Sequence, residues 1–151
     1  MVRPVTVTVR QRFEAPVEVV FQAISDHERF IRGPGIRASR VTQPGYTEPN
    51  GLGAVREIEA VGVRFVEDIT AWDPPHSYSY RVRQVSLPAE HEGGTLSCTA
   101  RDGGTDVLWQ TRYVMKLGGP LSPLTTQLSR PMFHVFFGML LRRAARELRR
   151  R

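Results

Sequence analysis

Apolar and polar residues alternate at the start of the chain. Val5, Val7 and Val9 are separated by threonines, and the alternation continues to Phe13. A period of two residues is typical of a strand with one buried face, so this segment predicts a first β-strand. Pro16 stands at the favoured first position of a helix, and apolar residues follow it at helical spacing up to position 24. A second short helical turn is predicted around residues 28–32.

Six further strands are predicted where short apolar or alternating runs are separated by glycine, proline and Asn-Gly. Their ranges are 36–43, 54–60, 63–72, 77–86, 95–101 and 106–117. From Pro120 the pattern is helical, and we expect a kink or a fresh start at Pro131 because proline lacks a backbone N–H. Beyond it, an apolar stripe recurs at helical spacing: Phe133, Phe137, Leu140, Ala144 and Leu148. The order of elements predicts an α+β fold with a largely antiparallel sheet.

Two hairpins can be tested for register. With Val61-Gly62 as the turn, Ile58 faces Phe65 and Arg56 faces Glu67, so apolar residues meet each other and opposite charges pair. With Gly103-Gly104 as the second turn, Cys98 faces Trp109. The first register places Arg56 and Glu67 on a face that is otherwise read as inward.

Length and composition predict one domain that spans residues 1–151, with 40% hydrophobic and 24% charged residues. No apolar run approaches the roughly 18 residues of a membrane span, and the amino terminus alternates where a signal peptide would be continuously apolar. We therefore expect a cytoplasmic protein. No metal or other cofactor is expected, because Cys98 is the only cysteine and no histidines stand at metal-ligand spacing. His27, His76 and His91 fall in predicted loops or turns and are expected to be solvated.

The positive charge is concentrated at the carboxyl end. The formal net charge is +6, and the segment 142–151 contains six arginines and one glutamate. The rest of the chain is therefore close to neutral, which argues against a nucleic-acid partner, since such a protein would carry a basic stripe over its body. A solvated helix end is expected, with weak attraction to an anionic membrane surface as the alternative. The residues concerned are Arg142, Arg143, Arg146, Arg149, Arg150 and Arg151.

Several motifs along the chain resemble those of the helix-grip superfamily. This superfamily includes START-related lipid-transfer domains (SRPBCC proteins), the major birch pollen allergen and bacterial polyketide cyclase/dehydrase-like proteins. The matching segments are residues 13–21 with Asp26, 51–56, 67–75, 80–82, 103–109 and the terminal amphipathic helix. The resemblance implies a seven-stranded antiparallel sheet wrapped around a long C-terminal helix, two short helices after the first strand, and an apolar cavity between sheet and long helix.

The resemblance also suggests which residues line that cavity. They are Arg56, Phe65, Glu67, Ile69, Tyr78, Tyr80, Trp109, Tyr113, Phe133, Phe137 and Leu140. Arg56 and Glu67 are read either as a structural ion pair or as a ligand anchor in which Arg56 binds a carboxylate or enolate oxygen. The expected function is the binding or transport of a hydrophobic small molecule that is lipid-like, polyketide or aromatic.

The alternative function is a polyketide cyclase or aromatase that uses Arg56, Glu67, Tyr80 or His134 to move protons. The sequence shows no recognisable catalytic constellation, and no GxSxG motif is present, so catalytic residues stay open and binding is favoured. A monomer and a homodimer are both compatible with the sequence. A third class, a protein-interaction module, would need a partner surface that the pattern does not reveal.

Overall fold

The computed structural model describes residues 2–151, and its elements follow the predicted order. A 3₁₀ turn at Gly119–Leu121 leads directly into the last helix. Within these residues, no helix is long and apolar enough to cross a membrane. The elements are β1 (Val5–Phe13), α1 (Val17–Ser25), α2 (His27–Phe30), β2 (Ile36–Gln43), β3 (Val55–Ala60), β4 (Val63–Asp73), β5 (Ser77–Val85), β6 (Ala89–Arg101), β7 (Gly104–Met115) and α3 (Ser122–Arg149).

The seven strands form one antiparallel sheet in the order β1-β7-β6-β5-β4-β3-β2, with α3 packed against β1 and β7. Hydrogen bonds fix the helices to this sheet. The Tyr78 hydroxyl donates to the Ile24 carbonyl of α1 at 2.7 Å, and the Met115 N–H donates to Thr126 Oγ1 of α3 at 3.0 Å. Tyr113 shares a bond of 2.5 Å with Ser129. The predicted helix-grip architecture is thereby confirmed.

The β3–β4 hairpin has the predicted register. Arg56 lies opposite Glu67 and Ile58 lies opposite Phe65. The turn residues at positions 61 and 62 have φ values of 50° and 77°, the combination of a type I′ turn whose twist matches that of paired strands. The alternation on both strands and the turn chemistry agree, which is why the sequence was sufficient here.

The β6–β7 hairpin differs from the prediction by two residues. Its turn is Asp-Gly at positions 102 and 103, with φ values of 48° and 77°, and not the Gly-Gly pair at 103 and 104. Cys98 therefore lies opposite Val107, and Trp109 lies opposite Leu96. Because a shift of two preserves the side-chain alternation, every residue of the hairpin still points to its predicted face.

Two further features differ from the prediction, the start of β6 and the continuity of α3. Strand β6 begins at Ala89, six residues before the predicted start at 95. The sequence does not predict this extension because residues 90–94 are polar or glycine and carry no apolar alternation. Helix α3 runs through Pro131 without a fresh start. Pro131 and Gln127 are both exposed, so water can satisfy the carbonyl whose helical partner the proline removes.

Candidate functional site

A cavity of about 120 Å³ lies between the inner face of the sheet and α3. All the predicted cavity residues line it except Ile69, which is buried in the core at 2% exposure but is not part of the lining. The lining also contains residues that the sequence analysis did not single out, among them His91 and Thr111 on β6 and β7. The predicted residues that line it are Arg56, Phe65, Glu67, Tyr78, Tyr80, Trp109, Tyr113, Phe133, Phe137 and Leu140.

Arg56 and Glu67 form a buried ion pair in the cavity wall. Their side chains are 5% and 4% exposed, and Arg56 Nε donates to Glu67 Oε1 at 2.7 Å while Nη2 donates to the same oxygen. The guanidinium also lies between two aromatic rings, 5.6 Å from the centroid of Tyr78 and 5.7 Å from that of Tyr80. Burial acts to lower the pKa of Arg56, but the charge and hydrogen bonds of Glu67 together with Tyr78 outweigh it, and the pKa is raised. Arg56 is therefore charged, and two of its three guanidinium nitrogens bond to Glu67.

The second carboxylate oxygen of Glu67 is free. Oε2 has no hydrogen-bond partner in residues 2–151, and Glu67 is part of the cavity lining. Within residues 2–151, only one side-chain polar atom is both fully buried and without a partner, and it is Nδ1 of His27. Since Oε2 also has no partner, it is not fully buried and keeps some accessible surface. Because Glu67 is buried and lines the cavity, we infer that Oε2 meets the cavity. An anionic acceptor thus faces an otherwise apolar chamber.

A chain of hydrogen bonds crosses the adjacent wall. The Val82 N–H donates to His91 Nδ1 at 3.0 Å, which leaves the ring proton on Nε2 to donate to Thr111 Oγ1 at 2.5 Å. The His91 ring stacks on Tyr80 with centroids 5.3 Å apart, and Trp109 Nε1 donates to the Tyr80 hydroxyl at 2.8 Å. These contacts hold His91 as the neutral Nε2–H tautomer.

The side chains of His91, Tyr78 and Tyr80 are neutral near pH 7. Burial, with a smaller effect of Arg81, lowers the pKa of His91 to about 4. Burial raises the pKa of Tyr78 to about 12 and raises that of Tyr80 further. Gly94 on β6 lies under the Tyr80 ring, where any Cβ would overlap the phenol, so the glycine allows the ring to lie against the strand. Two carboxylates line the cavity: Glu90, which is exposed and paired with Lys116, and the buried Glu67.

The histidines depart from their predicted placement. His134 is exposed and does not line the cavity, because its position on α3 is rotated away from the inward stripe. His27, expected to be solvated, is 0% exposed, and its Nε2 donates to the Glu57 carbonyl at 3.1 Å. Burial and the nearby Arg56 charge lower its pKa to about 3. His91, also expected in a loop, is half-buried in β6, whereas His76 is exposed as predicted.

Aromatic residues of α3 close the cavity from the other side. Phe137 stacks on Trp109 with ring centroids 4.2 Å apart, and Phe133 meets Tyr113 edge-on at 5.1 Å. No cluster of three or more metal-ligating side chains occurs in residues 2–151. The site is a largely apolar, aromatic chamber with the buried carboxylate of Glu67 in its wall.

Replacing Phe137 with alanine should remove the side chain that separates Trp109 from the helix. We expect a loss of about 2–3 kcal/mol of unfolding free energy, less than a fully buried phenylalanine would cost because Phe137 is half-buried. The enlarged cavity should also bind naphthalene more tightly than the wild type does. Urea unfolding and calorimetric titration measure the two effects. Val135→Ala, on the exposed side of the same helix, is the matched control, and equal behaviour of both variants would contradict the placement of Phe137.

The fold and site define a class: a helix-grip protein whose sheet and long helix enclose a cavity for a small molecule. The chain belongs to the family described as polyketide cyclase / dehydrase and lipid transport, whose model matches residues 4–151. Family and fold thus indicate the binding of a hydrophobic ligand or a cyclase-like activity on one. No curated protein shows significant sequence similarity to the chain.

Solved structures share this fold at low sequence identity. The protein TTHA0849 from Thermus thermophilus superposes with a TM-score of 0.77 at 17% identity, over 94% of this chain and 95% of that one. A START superfamily protein from Mycobacterium smegmatis superposes with a TM-score of 0.71 at 15% identity, over 97% of this chain and 99% of that one. Ara h 8.0201 gives 0.63 at 19% identity, over 93% and 97%. At these identities, the likeness concerns the fold alone.

Proposed function

We propose that the protein binds a hydrophobic small molecule whose apolar part fills the cavity and whose hydrogen-bond donor meets Oε2 of Glu67. The observation that carries this proposal is the unpartnered carboxylate oxygen in an apolar chamber. A donor on the ligand would gain a charge-assisted hydrogen bond, worth about 1.5–3 kcal/mol, that water in so apolar a site supplies poorly. Binding by shape with a few polar contacts is typical of such cavities.

The polarity of the site favours a neutral ligand with a hydroxyl or amine group. Two donor nitrogens of Arg56, Nε and Nη2, already bond to Glu67 Oε1, which leaves the guanidinium neutralised by its partner. A ligand carboxylate placed beside Oε2 would meet a like charge. The geometry therefore supports Glu67 as the anchor and Arg56 as its support, the reverse of an arginine that binds an acidic ligand.

The size of the chamber limits the part of the ligand that it encloses. A cavity of about 150 Å³ takes up a benzene ring, so the 120 Å³ present here suits one ring or a short acyl segment. A larger ligand would require the aromatic residues of α3 to move. The proposal is thus most specific for a phenol-like or hydroxylated ring.

Phenol and benzene are a matched pair of probes for this proposal. The wild type should bind phenol at least tenfold more tightly than benzene by calorimetry, because only phenol donates to Oε2. The double variant Arg56→Met/Glu67→Leu should lose the preference and still bind benzene. The control Arg64→Met/Glu57→Leu makes the same changes on the outer face of the same hairpin and should keep it. Equal affinity of the wild type for both probes would overturn Glu67 as the anchor.

A cyclase-like enzyme is the second candidate, and the same free oxygen favours it. A carboxylate without a partner in an apolar site can accept a proton from the carbon between two carbonyl groups. If Glu67 acts as such a base, Glu67→Gln should abolish turnover of a poly-β-keto substrate and leave its binding measurable. A protein that only binds should show no turnover of that substrate even in the wild type.

A further inference from the structure

The outward side of α3, together with the last residue of the 3₁₀ turn before it, carries a row of exposed apolar residues. Side chains at intervals of three or four residues share one side of a helix, and this row covers about 21 Å at 1.5 Å per residue. Scattered exposed apolar residues are ordinary, but an aligned row marks an interaction surface. The row consists of Leu121 (60% exposed), Leu124 (53%), Leu128 (65%), Met132 (60%) and Val135 (64%).

The same side of α3 becomes basic beyond the apolar row. Arg142 and Arg146 continue it, seven and eleven residues after Val135, and both are exposed. Glu147, the only acid of the terminal segment, is paired with Arg143 at 2.9 Å. Neither Arg142 nor Arg146 forms a salt bridge within residues 2–151. The helix therefore presents an apolar half and a positive half along a single face.

Before Glu147, the helix carries no acidic residue beside this face. The sequence from 117 to 146 contains no aspartate or glutamate, although it includes Arg130 and three later arginines. The basic half, with Arg142 and Arg146, needs an anionic partner to balance its charge. The apolar half needs an apolar partner to cover its side chains. A nucleic acid would leave the leucines uncovered, and a second copy packed on the apolar row would leave the arginines unmatched.

We propose that this outer face of α3, defined by Leu121, Leu124, Leu128, Met132, Val135, Arg142 and Arg146, docks on an anionic lipid surface. The apolar half enters the boundary between headgroups and acyl chains, and the arginines contact lipid phosphates. The opposite side of the same helix closes the cavity with Phe133 and Phe137. Docking thus places the cavity-closing helix at the membrane, and the inference does not depend on which ligand the cavity takes.

Vesicle binding tests the proposal with the full chain. The protein should co-sediment with vesicles of phosphatidylcholine and phosphatidylglycerol in equal parts, and much less with phosphatidylcholine alone. Leu128→Glu/Met132→Glu should weaken binding at least tenfold. Arg142→Gln/Arg146→Gln should weaken it by about fivefold per arginine at low salt, and the effect should fade at high salt. Val61→Glu, at a hairpin tip where the valine is 78% exposed, is the control and should bind as the wild type does.

Two results would overturn the proposal. One is equal vesicle binding by the wild type and Leu128→Glu/Met132→Glu when both give the same urea unfolding curve, which shows that both are folded. The other is a wild-type dimer, seen by sedimentation velocity, that the same substitutions convert to a monomer without any vesicle binding by the wild type. That second result would assign the face to a second copy of the chain.

Discussion

Glu67→Gln is expected to lower the free energy of unfolding by about 3–5 kcal/mol, the largest single effect on stability that we predict. The substitution leaves Arg56 charged, 4% exposed and facing a neutral amide in place of a carboxylate. A buried charge that has lost its counter-charge retains the full cost of leaving water. Urea unfolding near pH 7, monitored by the fluorescence of Trp109 and Trp72, measures the change.

The double variant Arg56→Met/Glu67→Leu should be more stable than Glu67→Gln alone, because it removes both charges together. Glu57→Gln is the matched control, since Glu57 accepts from Arg64 at 2.9 Å and from Arg40 at 3.2 Å on the outer side of the same strand. Its cost should be much smaller because water screens exposed ion pairs. Additive effects of the two single substitutions at positions 56 and 67 would mean that the pair has no coupling energy, against the geometry.

Mild acid is expected to destabilise the protein through two histidines. Burial lowers the pKa of His27 to about 3 and that of His91 to about 4, while both have the ordinary value of 6.5 when the chain is unfolded. Between these limits the unfolded chain binds more protons than the native state, so stability falls as the pH falls below about 6.5. Each histidine should contribute about 1 kcal/mol or more per pH unit down to its native pKa.

Urea unfolding between pH 7 and pH 4.5 measures this dependence. Variants His27→Gln and His91→Gln should each show a shallower fall in stability with pH than the wild type, whatever their stability at pH 7. His76→Gln is the control, because His76 is exposed and should keep the wild-type slope. A wild-type slope in His27→Gln would show that the buried ring does not remain neutral in the folded protein.

The site explains why the polar residues of the cavity wall are arranged as they are. The aromatic faces of Tyr78 and Tyr80 and the carboxylate of Glu67 together compensate a charge that would otherwise be costly inside the domain. Only one acceptor, Oε2, is left over. A buried network with an unpartnered acceptor is suited to select a ligand, since a molecule without the matching donor leaves that oxygen unsatisfied.

The strand pattern and one hairpin were accessible from the sequence. Alternation placed Val5, Val7 and Val9 inward, and the turn at positions 61 and 62 set Arg56 against Glu67. These features depend on neighbours close along the chain, so local physics is enough to specify them. The β6–β7 turn was not accessible in the same way, because Asp-Gly and Gly-Gly are both favoured turns and the two registers preserve the same faces.

The environments of single side chains were decided by the tertiary structure. His27 and His91 are polar residues in segments without apolar alternation, and other elements, which the local pattern does not show, bury them. On α3, apolar residues occur on both sides of the first half, and only packing against β7 shows that Phe133 and Phe137 are covered while Leu128 is exposed. Sequence therefore determined which elements form and which faces are apolar, because those properties are local. The free oxygen of Glu67 and the exposed row on α3 depend on contacts between distant segments, and only the assembled fold fixes them.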